Sequence, residues 1–567
     1  MARAIDLFHQ GRHEELWQKC CGYLGLTLPG FMAIQERLMM EQLELLKDST
    51  IGKRLLKGAR PRNINEFREQ VPLTTFADYC PDFIEKKEDI LPAKPGYWVR
   101  TSGRTGNYEC KWVPMVPRYA EELSVILYGV GMLSGARGWG DTSQIPDVVK
   151  ILYSVAPRPY ISGTFADLLR EQTPMAYLPS LEEAEKLTYD ERIKLGFSQA
   201  VSEGLDYFFG LSLVLVAVGE KLADSTGKFD IRPFLKSPKA LWRLSRAKIM
   251  SRLAGRPMLP KDIWRLRGII GSGVDSWVYK NKIKELWGRH PLDLYSCTEG
   301  GVIATQTWDY EGMTFVPSLN FLEFIPEEEH FRWQMDHSYQ PKTVLLDEVE
   351  AGENYEIVIS NFHGASLVRY RLGDMIRITS LRNEKLGIDI PQMAFERRAD
   401  DLISFMVVKL TEKQIWQSIE ATGIPYEDWV AYKEPGEEVL NLLVELKDGY
   451  QGSLEELNRA IEAELIASGR SSYKESGIVE DWRDDLGFRL EVTPLPRGAF
   501  AGYIARKQAE GADPAHLKPP HINPSEGVLT QLMTGRSDTE EIIVIKRAGA
   551  PAGEAAEAAA EDEEITV

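Results

Sequence analysis

The pattern of hydrophobic and polar positions distinguishes three regions along the chain, each of which predicts different secondary structure. From residue 1 to about 60, apolar residues recur at helical spacing among charged ones, which predicts two or three helices. Between 264 and 297 the pattern is strand, helix, strand, with the helical KNKIKELWG at 280–288 in the middle, as in an α/β unit with a parallel sheet. From 315 to 380 short β runs follow one another and predict the antiparallel strands of a small sheet or distorted barrel.

The most apolar run of the chain extends from Tyr207 to Gly219 and is flanked by Asp206 and Glu220. It is shorter than the roughly 20 residues that a membrane crossing requires. We therefore expect a buried core helix here and no membrane span. The N-terminal MARAIDLFHQGRHEE lacks a long apolar core, so we expect no signal peptide.

The length of 567 residues exceeds what one ordinary core can hold, so at least two domains are expected. The charged FERRADD before an apolar stretch marks a boundary near Asp400. We predict a large N-terminal domain over 1–399 and a small α+β domain over 400–546. Residues 547–567 are low in large apolar side chains and are expected to form a disordered acidic tail.

The net charge of -18 argues against nucleic acid or an anionic membrane as the main partner. Six acids between 554 and 564 account for part of this charge, and the rest of the chain is still acidic. The five cysteines form neither a disulfide framework nor a pair of zinc knuckles, which predicts reduced thiols and a cytoplasmic protein.

The segment TSGRTG at 101–106 follows the end of an apolar strand and combines two glycines with three hydroxyl-bearing side chains. A loop of this kind can direct backbone N–H groups and hydroxyls at one anion, which is how proteins hold phosphate without covalent chemistry. It is not a Walker loop, because the GxxxxGK[ST] spacing is missing. The candidate ligands are Thr101, Ser102, Gly103, Thr105 and Gly106, and an ordinary tight turn is the alternative interpretation.

Two further polar turns follow predicted strands. Gly271, Ser272 and Gly273 would let a flat ring lie against the backbone, although close helix–strand packing explains the same glycines. In YSCTEGG (295–301), Thr298 and Glu299 come at the carboxyl end of a strand, where ligands collect in parallel sheets. Glu299 could ligate Mg²⁺, which typically takes one or two carboxylates plus substrate phosphates, or it could be a solvated turn residue.

The third motif is RYRLGD at 369–374, with Asp374 at a turn between two predicted strands. The two oxygens of a carboxylate can accept hydrogen bonds from both hydroxyls of a ribose. A turn aspartate that caps its own backbone is the alternative.

Taken in this order, the three motifs resemble the nucleotide and phosphate motifs of the adenylate-forming ligases. The amino-acid sequences of the motifs are most similar to those of the auxin-responsive Gretchen Hagen acyl acid amido synthetases and their bacterial relatives. The likeness extends from about residue 70 to residue 525. The resemblance implies a large N-terminal domain of sheets and helices with a small β-barrel-like part. It also implies a smaller mobile α+β C-terminal domain that swings at the linker RRADD, with Asp400 as the hinge.

The resemblance also implies roles for the candidate residues. Residues 101–106 would hold the ATP phosphates, 271–273 and Tyr295 would border the adenine, and Thr298 and Glu299 would lie at the α-phosphate and Mg²⁺. Asp374 would bind the ribose, Arg398 would reach the ribose or phosphate, and Lys518 of HLKPPHI would be the catalytic lysine. One departure is clear: the superfamily usually places lysine just after the last glycine of the loop, whereas here Lys111 comes later.

The function that this resemblance implies is ATP-dependent adenylation of a small carboxylic acid, followed by transfer of the acyl group to an amine such as an amino acid. Coenzyme A as the acceptor is the first alternative. A nucleotide-binding regulator that has lost turnover is a second, since the loop lysine is displaced. A structural protein with accidental motif matches is a third.

Overall fold

The computed structural model describes most of the chain up to residue 534. The described residues are 2–101, 111–224, 237–272, 276–399, 402–404, 409–433, 439–447, 450, 452–472, 489–509, 521–524 and 526–534.

Within these residues the α-helices are α1 (Ala4–His9), α2 (His13–Cys21), α3 (Leu28–Leu46), α4 (Thr50–Leu56), α5 (Ile64–Gln70), α6 (Pro117–Gly135), α7 (Ile161–Gln172), α8 (Leu181–Ala184), α9 (Tyr189–Glu203), α10 (Ser212–Asp224), α11 (Pro238–Leu253), α12 (Pro260–Ile263), α13 (Ser276–Trp287), α14 (Glu327–Met335), α15 (Glu412–Ala421), α16 (Leu454–Ser472), α17 (Ala499–Ala509) and α18 (Glu526–Met533). Two short 3₁₀ helices lie at Gly22–Gly25 and Phe76–Tyr79.

The strands are β1 (Tyr97–Arg100), β2 (Trp112–Met115), β3 (Val149–Tyr153), β4 (Met175–Leu178), β5 (Tyr207–Leu211), β6 (Gly268–Ser272), β7 (Leu292–Cys297), β8 (Gly301–Thr305), β9 (Met313–Phe315), β10 (Asn320–Pro326), β11 (Asn354–Asn361), β12 (Tyr370–Ser380), β13 (Gln392–Arg398), β14 (Leu402–Ser404), β15 (Lys409–Thr411), β16 (Tyr426–Tyr432), β17 (Val439–Leu446) and β18 (Arg489–Pro494).

An eleven-stranded sheet forms the centre of the molecule, in the order β10-β11-β12-β13-β9-β8-β7-β6-β5-β3-β4. Strands β4, β3, β5, β6 and β7 are parallel, whereas the pairs from β7–β8 through to β10–β11 are antiparallel. Strand β7 is therefore where the sheet changes direction, and ligand sites of open α/β sheets lie beyond the carboxyl ends of such strands. The turn at 298–300 follows β7 directly.

The expected strand–helix–strand unit is present as β6, α13 and β7, and the mixed α/β fold class is confirmed. The antiparallel strands predicted between 315 and 380 do not form a sheet of their own, because β7 and β8 join them to the parallel strands. The prediction of a single helix over 207–219 was wrong. This run is strand β5 followed by the start of α10, and a continuous apolar stretch looks the same in either conformation when it is buried.

Helix α3 fixes the antiparallel edge of the sheet through two buried glutamines. It begins after Thr27, whose hydroxyl accepts from the backbone N–H of Gly30 at 3.2 Å. Gln35 donates to the carbonyl of Asn320 at 2.8 Å, and Gln42 donates to the carbonyl of Ala365 at 2.7 Å. Because buried amides must be hydrogen-bonded, Gln35 holds the first residue of β10 in a defined place, and Gln42 does the same for the segment after β11.

The part of the chain after residue 402 has its own small sheets. Strands β14 and β15 form an antiparallel pair, and β16, β17 and β18 form a three-stranded sheet. The apolar residues of this part pack in two clusters that contain only residues from 403 onward, such as Trp429 and Leu465. The apolar clusters of the eleven-stranded sheet contain residues from 4 to 393.

A charged histidine joins the elements of this C-terminal part. The His521 ring nitrogens lie 2.5 Å from a Glu412 carboxylate oxygen and 2.8 Å from one of Asp428, and the ring stacks on Trp429 at 4.6 Å. Burial alone would lower the pKa of His521, but the hydrogen bonds to Asp428 and Glu412 outweigh it and raise the pKa to about 9. The imidazolium, with two donors, is therefore the stable form at neutral pH.

We expect this contact to make the C-terminal sheet less stable in alkaline solution. A raised histidine pKa contributes stability that is complete below its unfolded value of about 6.5 and is lost as the pH rises through about 9. The opening free energy of β16 should thus fall by about 2 kcal/mol between pH 7 and pH 9, as measured by hydrogen exchange corrected for intrinsic rates. In His521→Gln the protection should be lower at pH 7 and independent of pH, and an unchanged pH dependence would contradict the role of this residue.

Among the helices in the described ranges, none combines the length and apolar character that crossing a bilayer demands.

Candidate active site

The loop that carries the first motif is closed at its neck by two residues. Strands β1 and β2 pair in antiparallel register with Arg100 opposite Trp112. One step farther, the Thr101 N–H donates to the Lys111 carbonyl at 2.9 Å, and the Lys111 N–H donates to the Thr101 hydroxyl at 3.0 Å. Residues 102–110, which include the candidates Ser102, Gly103, Thr105 and Gly106, lie outside the described residues.

The Lys111 side chain brings this neck to the other two motifs. Its ammonium group donates to the Tyr370 hydroxyl at 3.3 Å and lies 3.8 Å from a Glu299 carboxylate oxygen. Tyr370 belongs to RYRLGD and Glu299 to YSCTEGG, so Lys111 contacts residues of all three motifs, Thr101 through its backbone and the other two through its ammonium group. Sequence reasoning dismissed Lys111 because it looked for a lysine beside the last glycine, whereas antiparallel pairing places Lys111 opposite Thr101.

The turn that carries Thr298 and Glu299 is held by two buried asparagines. Asn361, the last residue of β11, donates to the Glu299 carbonyl at 3.0 Å. Asn320, the first residue of β10, donates to the Gly300 carbonyl at 2.7 Å. These side chains also bond to each other at 2.8 Å, so the turn backbone is fixed before any ligand binds. Sequence reasoning missed both asparagines, and their position at the ends of apolar strands was the available signal.

Asp374 is buried and both of its oxygens already accept hydrogen bonds. The Tyr295 hydroxyl donates to one oxygen at 2.7 Å, and the Arg398 guanidinium donates to the other. Burial raises the pKa of the Tyr295 hydroxyl, and the charge of Asp374 raises it further. Asp374 in turn raises the pKa of Arg398. An ionised carboxylate has about four lone-pair directions, so two remain for a diol.

The site contains two pairs of a carboxylate and a cation. The Glu299 charge acts on Arg398 together with that of Asp374, which places the Lys111–Glu299 pair and the Arg398–Asp374 pair within reach of each other. Burial raises the pKa of the Cys297 thiol well above its usual range, and both carboxylates add to this effect. The Cys297 thiol is therefore neutral at physiological pH and does not act as a nucleophile.

The other sequence candidates are placed less completely. Gly271 and Ser272 end β6, where Gly271 pairs with Asp293 of β7, two residues before Tyr295. Gly273, Asp400 and Lys518 lie outside the described residues. In the described ranges no three histidine, cysteine or acidic residues cluster as metal ligands.

The two arginines of RYRLGD, Arg369 and Arg371, point away from this site and contact buried glutamates of neighbouring strands. Arg369 makes a two-pronged contact with the Glu323 carboxylate at 2.8 and 3.1 Å. Arg371 contacts Glu356 in the same way at 2.6 and 2.9 Å, with its guanidinium 3.8 Å above the Trp333 ring. Burial alone would raise the pKa of Glu356, but hydrogen bonds from His330 and Arg371 lower it. Tyr370 and Asp374 of the motif contact described site residues, namely Lys111, Tyr295 and Arg398.

Comparison with protein families matches two domains in their order along the chain. Residues 30–147 match the GH3 family N-terminal domain, and residues 313–398 match the GH3 family central domain. Among curated proteins, the jasmonoyl–L-amino acid synthetase JAR4 of Nicotiana attenuata is 27% identical over 45% of this chain and 44% of its own length. The 4-substituted benzoates–glutamate ligase GH3.12 of Arabidopsis thaliana is 31% identical over 39% of this chain and 38% of its own length. The chain thus spans less than half the length of the curated relatives it matches.

Solved structures extend the likeness in fold over most of the molecule. The GH3.15 acyl acid amido synthetase in complex with 2,4-DB matches with a TM-score of 0.60 and 15% identity, over 89% of this chain and 93% of its own. A 2-hydroxyisobutyryl-CoA ligase in the postadenylation state matches with a TM-score of 0.56 and 14% identity, over 90% and 94%. Two segments of the chain thus match GH3 family domains in sequence, and the fold matches that of solved acyl acid amido synthetase and CoA ligase structures.

Proposed function

We propose that the protein is an ATP-dependent ligase that adenylates a small carboxylic acid and transfers the acyl group to an amine such as an amino acid. The observation that carries this proposal is the contact of Lys111 with Thr101, Glu299 and Tyr370, which joins three motifs that are far apart in sequence. In the first step a carboxylate oxygen attacks the α-phosphorus and pyrophosphate leaves. In the second step the amine attacks the acyl carbon and AMP leaves.

The described residues suit the first step because it requires alignment and charge neutralisation more than covalent chemistry. Lys111 would face phosphate oxygens bound by residues 101–106. The free lone pairs of Asp374 would accept the ribose hydroxyls, while Tyr295 and Arg398 keep its carboxylate oriented. Gly271 and Ser272 would border the adenine, together with Gly273.

Mg²⁺ fits this site through Glu299. One carboxylate is enough, because Mg²⁺ in phosphate-transfer sites completes its coordination with substrate phosphates and water. The metal would neutralise charge on the phosphates, and Thr298 would assist at the α-phosphate. The fixed carbonyls of Glu299 and Gly300 keep the carboxylate at the carboxyl end of β7.

We further propose that residues 1–399 form the large domain, 400–546 a smaller domain that rotates between the two steps about Asp400, and 547–567 an acidic tail. The separate apolar clusters after residue 403 support this division. Such a rotation would bring different side chains of the smaller domain to the substrate in each step, and Lys518 would act during adenylation. A cytoplasmic location is also proposed, supported by the reduced thiols of the four described cysteines.

Acid-dependent exchange of labelled pyrophosphate into ATP tests the first step directly. We expect exchange with some member of a panel of carboxylic acids. ATP binding without exchange for any acid would instead favour the regulator. Adding amino acids or coenzyme A to a mixture that shows exchange then identifies the acceptor. Coenzyme A is worth testing because the fold of a 2-hydroxyisobutyryl-CoA ligase also matches.

Replacing Lys111 tests whether the neck residue supplies the missing loop cation. We expect Lys111→Met to lower the exchange rate on the order of 100-fold, because one positioned charge that stabilises phosphate in the transition state is lost. Lys111→Arg should retain more activity than Lys111→Met, since it keeps the charge. If the exchange rate fell equally in both variants, the positive charge of Lys111 would not be what supports the reaction. Lys385, an exposed lysine paired with Glu311, provides the control, and Lys385→Met should exchange normally.

A further inference from the structure

Helix α11 has apolar side chains on two opposite faces. Four small or apolar residues face the body of the protein and are buried, namely Ala240, Leu244, Ala247 and Ser251. On the opposite side, Trp242 is 65% exposed, Ile249 58% and Leu253 79%, and Met250 at 45% borders them. Positions separated by seven and eleven residues fall on one stripe of a helix. Three of the large exposed apolar side chains therefore lie on one strip of the helix, about 16 Å long at 1.5 Å per residue.

The charge around this strip is opposite to that of the chain as a whole. Helix α11 contains five basic residues and no acid, and the segment 238–267 contains nine basic residues and one acid, whereas the net charge of the chain is -18. Arg246 lies beside the strip with its guanidinium 5.9 Å from the Trp242 ring centroid, and Lys248 and Arg252 are exposed. A helix with an apolar strip, an exposed tryptophan and basic flanks has the character of an interfacial helix.

We propose that the exposed face of α11 docks on a lipid bilayer surface that contains anionic headgroups. Trp242, Ile249 and Leu253 would enter the boundary between headgroups and acyl chains, where amphipathic helices bury their apolar side. Arg246, Lys248 and Arg252 would contact the lipid phosphates, each adding electrostatic attraction within a Debye length of the surface. The acidic remainder of the protein would face away from the membrane, which requires one fixed orientation on the surface.

Two other occupants fit the geometry less well. An acidic protein that engulfs a helix in a groove needs access to most of its circumference, but the side with Leu244 and Ala247 is packed against the protein. A second copy of this chain would bring five basic residues against five others, and like charges at an interface cost several kcal/mol. A bilayer can be reached from one side and is deformable, so it suits a single exposed convex strip.

Vesicle co-sedimentation of the full chain tests this proposal. We expect binding to vesicles of phosphatidylcholine mixed with phosphatidylserine, no binding to phosphatidylcholine alone, and weaker binding as salt is raised. The variant Trp242→Ser with Leu253→Ser should lower the partition coefficient at least tenfold, because two large apolar side chains are removed from the contact. The variant Lys248→Gln with Arg252→Gln should lower it by about fivefold for each charge.

Matched controls keep the result specific to α11. Met335→Ser removes an apolar side chain that is 82% exposed elsewhere, and it should bind vesicles as the unmodified protein does. The proposal is overturned by the absence of binding at low salt, by equal binding to neutral vesicles, or by unchanged binding of the α11 variants. A dimer that the Trp242 and Leu253 substitutions dissociate, without vesicle binding, would assign the face to a second copy. A photo-crosslinker at position 249 that captures protein and no lipid would likewise overturn it.

Discussion

Replacing Glu299 with glutamine is expected to reduce acid-dependent pyrophosphate exchange by 10²- to 10³-fold, about 2.7–4 kcal/mol of transition-state stabilisation. The substitution keeps the size and hydrogen-bonding capacity of the side chain but removes the charge that faces Lys111 at 3.8 Å. It therefore removes the carboxylate proposed to hold Mg²⁺ and leaves the turn intact, because the asparagine contacts are to backbone carbonyls. The exchange rate at saturating ATP and acid measures the loss.

An exposed carboxylate that is paired with a surface lysine provides the control for this variant. Glu311→Gln removes a charge that is paired with Lys385 at the surface, and it should exchange at the normal rate. The thermal unfolding midpoint of Glu299→Gln should stay close to that of the unmodified protein. Normal exchange by a folded Glu299→Gln variant would exclude the carboxylate from the mechanism.

Replacing Arg369 with methionine should produce the largest loss of stability, about 3–5 kcal/mol. The substitution leaves the Glu323 carboxylate buried with its two-pronged partner gone, and the carbonyl of Arg68 loses a donor at 2.6 Å. Removing one member of a buried ion pair costs more than the pair contributes, because the remaining Glu323 carboxylate is shielded from water and keeps only the more distant Arg68 guanidinium, 3.9 Å away, as a counter-ion. The shift of the urea unfolding midpoint measures the effect.

An exposed pair of the same chemistry is the control for this experiment. Arg382 and Glu384 lie 3.0 Å apart with side chains that are 52% and 76% exposed. Arg382→Met should change the free energy of unfolding by less than about 1 kcal/mol, as expected for surface ion pairs. If Arg369→Met were no more destabilising than Arg382→Met, the buried pair would not be a structural element. Exchange activity of the folded fraction of Arg369→Met should be largely retained, since the described contacts of Arg369 are with Glu323, Thr343 and the backbone of Arg68 and Val71.

The sequence allowed prediction of those parts of the fold that depend on local periodicity. The unit β6, α13, β7 was predictable because apolar runs of strand length flank a helix of the right period. Thr298 and Glu299 could be placed at the end of β7 for the same reason. The run from Tyr207 onward was not predictable, because a fully buried strand and the helix after it have the same apolar composition.

The rest of the site depends on pairing between distant segments, which a single sequence does not display. Lys111 reaches Glu299 only because the antiparallel hairpin returns it to the level of Thr101. Asn320 and Asn361 support the turn because β10 and β11 pair in a particular register, in which these two residues lie opposite each other. No spacing rule along the chain connects these positions to the turn, so the available signal was limited to the place of each asparagine at the end of an apolar strand.

Successive side chains at the start of β12 point to opposite sides of the sheet, which constrains the length of the motif RYRLGD. Arg369 and Arg371 point to one side of the sheet and contact buried acids, whereas Tyr370 points to the other side and contacts Lys111. A one-residue shift in a strand exchanges its two faces. A single residue inserted between Arg369 and Tyr370 would thus place an aromatic ring among the buried carboxylates and a guanidinium in the ligand site, so the motif depends on its length as well as on its residue types.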